Sequence, residues 1–388
     1  MSWNLSDDER DLYDTVKEFA DDVVAPASYE ADRNHELPMH VVAQMGEMGL
    51  FGLPFPEEVG GQGGNYFAFC LAVEALATVD QSIAITLEAA VGLGAMPIHR
   101  YGTDEQKNRW LRDLVIGKAL AGFGLTEAEA GSDAGATRTT AVLDGEEWVI
   151  NGSKQFITNS GTPISKFVTV AAVTGERTRD DGSTSKEIST IIVPHGTPGF
   201  TVEPAYDKVG WRASDTHPLS FDDVRVPKEN LLGERGRGFA NFLHTLDEGR
   251  IAVAALSVGA AQGCVDESIR YAKERVVFGE PIVRNQHIEF MIARMQARSH
   301  TARLAWHDAA RRCDAGLPFK TEAAIAKLVA SDAAMENARD ATQIFGGYGF
   351  MNEYLVARHY RDSKILEIGE GTNEVQLMVI ARALGLDR

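Results

Sequence analysis

Basic residues, cysteines and long apolar runs are all scarce in this 388-residue chain, and each scarcity removes a class of function. Only 38 Lys and Arg stand against 56 Asp and Glu, a formal net charge of −18. A surface so acidic repels phosphate backbones, and no basic patch interrupts it, so no nucleic-acid partner is expected. The three cysteines, Cys70, Cys264 and Cys313, lie far apart and are odd in number, which suggests a reducing compartment rather than a disulfide frame. None has a Cys or His partner at zinc spacing, the ten histidines form no HExxH, and no metal site is expected. The longest near-apolar run noted, Ile251 to Ala261, is far short of the roughly 20 residues a membrane span needs, so no membrane insertion is expected. The stretch Met1 to Asp11 carries four acids and one Arg and no apolar core, unlike a signal peptide. A cytoplasmic location is the expectation. Three sequence fingerprints are missing as well: GxGxxG after a strand, GxxxxGK[ST] and GxSxG. Their absence disfavours a Rossmann nicotinamide enzyme, a P-loop NTPase and an α/β-hydrolase.

What remains is an ordinary folded composition, 44% hydrophobic and 24% charged, long enough for two or three domains. Residues 1–120 read as helical. Ser6 and Glu9 form a capping box, Leu12, Val16, Phe19 and Val23 follow at helical steps, and Pro26 is expected to close the helix. Thr103 to Gln106 repeats the cap signal, and a mostly apolar segment runs from Phe67 to Leu93. Residues 121–235 change character. Thr139–Leu143 and Glu147–Ile150 are β-rich and flank Asp144-Gly145, a hairpin signal; Thr174 to Lys186 is polar and reads as a solvated loop. Residues 236–388 are helical again. Ile288, Met291, Ile292 and Met295, and likewise Leu328, Val329 and Met335, have the spacing of packing stripes. The order helical, β, helical, without strand–helix alternation, argues for an α+β, mainly helical protein with a small β domain between helical ones.

Three segments carry a chemical signal, though each has a bland reading. Gly124 to Gly135 (GLTEAEAGSDAG) can offer backbone N–H groups to a flat or anionic ligand, or be a polar turn. Gln343 to Phe350 (QIFGGYGF), followed by Arg358 and Asp362, permits close backbone approach, or is a helix–helix turn. In Ile368 to Val375 (IGEGTNEV), Glu370 stands between glycines and should be exposed at a tight bend, with Thr372 as N-cap of the last helix.

Together the three segments resemble the acyl-CoA dehydrogenase family, over the whole chain and in lobe order. The resemblance implies an N-terminal helical domain, a β-barrel-like middle domain and a C-terminal four-helix-type bundle. It further implies a homotetramer (a dimer of dimers) that binds FAD without a Rossmann fold, a role in fatty-acid metabolism, and an electron-transfer flavoprotein as partner. Carried over by motif, Phe123, Leu125, Thr126, Gly131 and Ser132 match the loop beside the flavin ring. Phe156, Ile157 and Thr158 match the strand against it. Arg275, Phe278 and Gln286 match residues that reach the ADP part from a neighbouring subunit. Gln343, Gly346 and Gly347 match contacts to the same region, and Thr372 and Glu374 flank the cofactor. For the acyl-CoA substrate, Ser132, Asp247, Arg250 and Gly371 match contact positions, although Asp247 and Arg250 are also spaced as an ordinary i,i+3 ion pair.

Glu370 matches the catalytic base. Some members carry the base just before the Arg of the other helix; here that position is Gly249, which cannot act, and Glu248 is one residue off. The implied reaction is α,β-dehydrogenation, Glu370 taking the α-proton and flavin N5 the β-hydride. In the family the thioester oxygen is stabilised by the N–H of the base and a flavin ribityl hydroxyl. An acyl-CoA oxidase, or a desulfinase-type lyase on the same fold, is the alternative. Two departures stand out. Ala128-Glu129 replaces Pro-Gly in the first signature, and Gly369 replaces the Tyr many straight-chain members carry, which would leave space for a branched acyl group.

Overall fold

The computed structural model describes residues 5–178 and 182–386. Its first helix, α1 (Asp7–Phe19), begins at the expected box: Glu9 N–H donates to Ser6 Oγ at 3.2 Å and Ser6 N–H to Glu9 Oε2 at 2.9 Å. Tyr13, Val16 and Phe19 form its buried stripe. Pro26 does not close this helix. The chain widens into a π turn at Ala20–Val24 and continues as α2 (Ala25–Asn34), with Pro26 in the first turn. The wider turn accommodates a residue that has no N–H to give and whose ring would crowd an α-helical carbonyl.

Six further helices complete the N-terminal part: α3 (Met39–Glu47), α4 (Tyr66–Ala77), α5 (Gln81–Glu88), α6 (Met96–Tyr101), α7 (Asp104–Gln106) and α8 (Arg112–Val115). Asp80 caps α5, its Oδ1 accepting from Ser82 N–H at 2.7 Å and Ile83 N–H at 3.1 Å. A second π segment, Ala89–Ala95, joins α5 to α6. Taken as one helix, Gln81–Tyr101 is long and apolar enough to cross a membrane, although Thr86 and Glu88 interrupt its apolar run. Its most apolar window is 89% buried inside the protein, as befits a core helix. The second box also forms, and the Gln106 amide then donates to the carbonyls of Glu229 and Leu231, tying helices to the β domain.

The β domain is one sheet of eight strands: β1 (Leu120–Gly124), β2 (Thr140–Asp144), β3 (Glu147–Thr158), β4 (Ser165–Thr178), β5 (Thr184–Pro194), β6 (Phe200–Val202), β7 (Thr216–Pro227) and β8 (Leu231–Leu232). The strand order is β6-β7-β3-β2-β4-β5-β8, with β1 parallel to β4. Asp144 pairs with Glu147 across the expected turn, where Gly145 takes φ +63°. The sheet curls so that the end of β3 packs over β1: a Cβ on Gly122 would lie 2.8 Å from Ile157 Cγ2. Thr174 to Lys186 is not mainly a loop. Glu176 pairs with Lys186 and Thr178 with Thr184, because polar side chains on the two solvated ends do not prevent the backbones from pairing. Residues 179–181 lie outside the described residues.

The C-terminal part is built on α9 (Gly238–Glu274), 37 residues long and buried along most of its length. A short hairpin, β9 (Val276–Val277) with β10 (Glu280–Pro281), leads to α10 (Gln286–Asp314), α11 (Lys320–Phe345), α12 (Leu355–Asp362) and α13 (Asn373–Ala383). Met295 is buried, with Ile288, Met291 and Ile292 packed beside it, as their spacing predicts. On α11 the stripe is different. The buried stripe is mostly alanine, with Ala323, Ala326, Ala330, Ala334, Ala338 and Ala341 among its positions, while Val329 is exposed. Small residues along it let α11 lie close to α9.

Candidate active site

The bend before α13 is set by backbone conformation. Glu370 takes φ +52°, a left-handed value that a non-glycine residue adopts only when its surroundings impose it, and Gly371 follows at φ +94°. Thr372 caps α13 as expected, accepting from Val375 N–H at 3.4 Å. The sequence suggests an exposed acid here; the structure gives something else. The residue as a whole is half-buried, but both carboxylate oxygens are buried and meet no N–H or hydroxyl donor among the described residues.

The carboxyl points at α9. A Cβ on Gly249 would lie 3.0 Å from Glu370 Cδ and collide with Oε2, so the glycine that cannot act as a base is also the one that makes room for it. Glu248, one residue earlier, faces away and is ion-paired with Arg100. Arg250, one residue later, is buried and paired with Asp247, and it acts electrostatically on Glu370 together with Lys327 of α11. Lys327 Nζ donates to Asn373 Oδ1 at 3.0 Å, holding the bend from below. Burial raises the Glu370 carboxyl above its ordinary range, and a contact with the Glu88 carboxyl, then Arg250 and Lys327, only partly offset it. Such a group holds a proton more readily than an exposed carboxylate does. The Glu370 N–H donates to no acceptor among the described residues and is free to bind an oxygen.

A second group assembles on the β domain. Gln155 N–H donates to Thr126 O at 2.9 Å, which sets the Gly124 to Gly135 loop beside Phe156, Ile157 and Thr158. Beneath the loop, Lys154 Nζ is fully buried and donates to Leu125 O at 3.1 Å and Glu127 Oε1 at 2.7 Å. Leu125 and Ile157 are buried, with Leu125 N–H donating to Phe123 O at 3.1 Å and Ile157 O accepting from Ser160 Oγ at 2.7 Å. Phe123 packs on Phe242 of α9, ring centroids 4.3 Å apart. Phe156 is 63% exposed at φ +63°, and Gly131, Ser132 and Glu374 are exposed.

The third group is at the far end of α9. Arg275, Gly346 and Gly347 line a 550 Å³ hollow with Tyr271, Phe345 and Tyr348. Nothing lies within 4 Å of where a Cβ of Gly346 or Gly347 would be, so their backbone is open to close approach, and Arg275 supplies a positive charge. Phe278 beside it is fully exposed at φ +55°, and Gln286 and Gln343 are exposed. This donor set fits the phosphate and adenosine end of a dinucleotide.

Sequence reasoning missed Glu88, Lys327 and Lys154. For Glu88 there was a signal: an acid inside the apolar segment 67–93.

A buried acid at a bend between helices, a β domain beside it and, at the far end of α9, a hollow suited to a dinucleotide are features of an oxidoreductase. The comparisons with known proteins give the family and the class of enzyme. Models of the acyl-CoA dehydrogenase N-terminal, middle and C-terminal domains match residues 6–118, 122–224 and 236–385. The protein named probable acyl-CoA dehydrogenase YngJ of Bacillus subtilis (strain 168) is 47% identical over 384 residues, covering 99% of this chain and 100% of its own. The solved butyryl-CoA dehydrogenase of Megasphaera elsdenii superposes with a TM-score of 0.93 at 43% identity, covering 99% of this chain and all of its own. A chain in the structure of the electron transferring flavoprotein of Acidaminococcus fermentans gives a TM-score of 0.94 at 43% identity, with both chains covered completely. The chain belongs to the acyl-CoA dehydrogenase family, and it is an acyl-CoA dehydrogenase with the family's three-domain architecture.

Proposed function

We propose that the protein converts a short-chain acyl-CoA to its trans-2-enoyl-CoA, with Glu370 as the base. The observation that supports this reading is the Glu370 carboxyl, buried with no N–H or hydroxyl donor among the described residues and pressed against Gly249. Glu370 takes the α-proton, the β-hydrogen leaves with its electron pair, and a carbon–carbon double bond forms between them. FAD, when bound, supplies the acceptor for that hydride. The free Glu370 N–H steadies the developing charge on the thioester oxygen, and Arg250 with Lys327 favours ionised Glu370. The names of the Megasphaera elsdenii and Acidaminococcus fermentans proteins support a short acyl chain and an electron-transfer flavoprotein as acceptor. A short straight chain would run against the branched preference that Gly369 suggests.

FAD would lie between the Thr126 and Phe156 group and an Arg275 group supplied by another copy. Arg275 is 25 residues beyond Arg250 on the same helix, or about 37 Å at 1.5 Å per residue, too far to serve the same site. Exposed Phe290, Leu304, Val329, Leu377 and Met378 on the C-terminal helices support burial of that face in a homotetramer. Arg275→Ala is then expected to lose flavin and dissociate on gel filtration; full flavin content in an intact assembly would refute the shared site.

The test of the reaction is an anaerobic titration with acyl-CoAs of increasing length, read by bleaching of the flavin. Glu370→Gln should keep the flavin and lose its reduction by about 10²–10⁴-fold or more. Normal reduction in that variant would sink the assignment of the base.

A further inference from the structure

Glu88 is the last residue of α5, has no exposed surface, and offers two carboxyl oxygens that meet no N–H or hydroxyl donor among the described residues. An acid buried so completely without such a donor is rare, since its charge would cost several kcal/mol to bury. Its place is fixed from behind: a Cβ on Gly92 would sit 3.0 Å from Glu88 Oε1. In front of it is Glu370, and the two carboxyls lie within hydrogen-bonding reach of each other, a contact that needs one of them to carry a proton. Four carboxyl oxygens therefore converge on one buried site.

Two such groups cannot both be ionised, so the pair retains a proton. Its surroundings decide which carboxyl keeps it. Arg250 from α9 and Lys327 from α11 act on Glu370. The groups on the Glu88 side are Tyr66 and Cys70 of α4, both held neutral by burial, and Glu248 of α9. Glu248 is engaged by Arg100 of α6, and Cys313 of α10 lies 4.0 Å from it. No cation is among the influences on Glu88.

We propose that Glu88 is a positioning residue that holds a proton against Glu370, donating to its carboxylate and keeping it aimed as the base. The inference rests on the reading of Glu370 as that base. A neutral Glu88 also replaces, for the ionised Glu370, part of the solvation that burial removes. It thereby keeps the basicity of Glu370 from drifting too high to ionise near neutral pH.

Three variants of the flavin-loaded protein test this. The first measurement is infrared difference spectroscopy without substrate. The protonated-carboxyl C=O signal of the pair should vanish in Glu88→Gln and persist in Glu370→Gln; a signal that survives Glu88→Gln overturns the proposal. The second is the pH profile of kcat/KM. In Glu88→Ala the acid limb should move up by about one unit, roughly a tenfold loss at a fixed pH on that limb. Glu88→Gln keeps a donor facing Glu370 and should hold the limb near its wild-type position, which a merely space-filling role would not explain. An unmoved limb in Glu88→Ala overturns the proposal while leaving Glu370 as base. Turnover surviving in Glu370→Gln would instead overturn the base assignment and the proposal with it.

Discussion

Glu74 and Glu88 sit on consecutive helices, both in the same apolar stretch and both without exposed surface, yet the interior treats them in opposite ways. Glu74 is surrounded by donors. Arg303 Nε reaches its Oε1 at 2.8 Å and the Trp306 indole N–H its Oε2 at 2.8 Å, which locks α4 to α10. Glu88 has no donor except the acid it faces. Burial raises both carboxyls, but for Glu74 the arginine and the indole oppose the rise, whereas for Glu88 the Glu370 carboxyl adds to it. A buried acid that is fully paired is part of the frame. A buried acid left unpaired beside another is where a proton is handled.

The contrast can be broken at either end. The largest effect is expected from Gly249→Ala, because the new methyl occupies the place of the Glu370 carboxylate. Alanine suits the middle of α9, so the fold should hold, while displacement of the base by an ångström or so lowers the rate of flavin reduction about 10²-fold. Stopped-flow reduction by acyl-CoA, compared with the melting midpoint, checks it; wild-type rates would mean the carboxyl works from elsewhere. Next in size is Glu74→Gln. It leaves the Arg303 charge buried without its counter-charge and should cost about 3–5 kcal/mol of stability in denaturant titration. Turnover per folded molecule should stay near wild type. A large fall in turnover at unchanged stability would erase the distinction between the two acids.

These pairings show what a linear reading can reach. Both capping boxes and the Asp144-Gly145 turn depend on residues three apart or adjacent, and the structure has them where the spacing puts them. The Glu370-Gly371 bend was legible for the same reason. Its exposure was not, because the carboxyl is buried by Gly249, Glu88 and Lys327, which come from three other helices. Pro26 was misleading since the rule that proline stops a helix assumes an α-helical turn before it, and here the turn is π. The strands through Thr174–Lys186 were hidden because their polar ends lack the apolar alternation that marks a half-buried strand, while backbone pairing continues regardless.

Asp362 lies between Glu74 and Glu88 and gives the finest test. One oxygen is satisfied, Oδ1 accepting from Trp211 N–H at 2.7 Å, and the other, Oδ2, has no partner. Burial, with Asp80 adding to it, pushes the Asp362 carboxyl up from 3.8 to about 7. The sign of the consequence follows from proton counting. Between about pH 4 and pH 7 the folded state holds a proton that the unfolded state has released, so this group makes stability fall as pH rises through that window. Above it, the folded protein carries a buried charge supported on one side only. Asn in place of Asp362 keeps the acceptor for Trp211 and cannot ionise, so Asp362→Asn should flatten the decline, gaining about 1–2 kcal/mol on wild type between pH 5 and pH 8. Denaturant midpoints at the two pH values read this directly. Equal slopes for variant and wild type would mean that Asp362 is ionised throughout, like a fully paired acid, and that one donor suffices to make a buried carboxylate part of the frame.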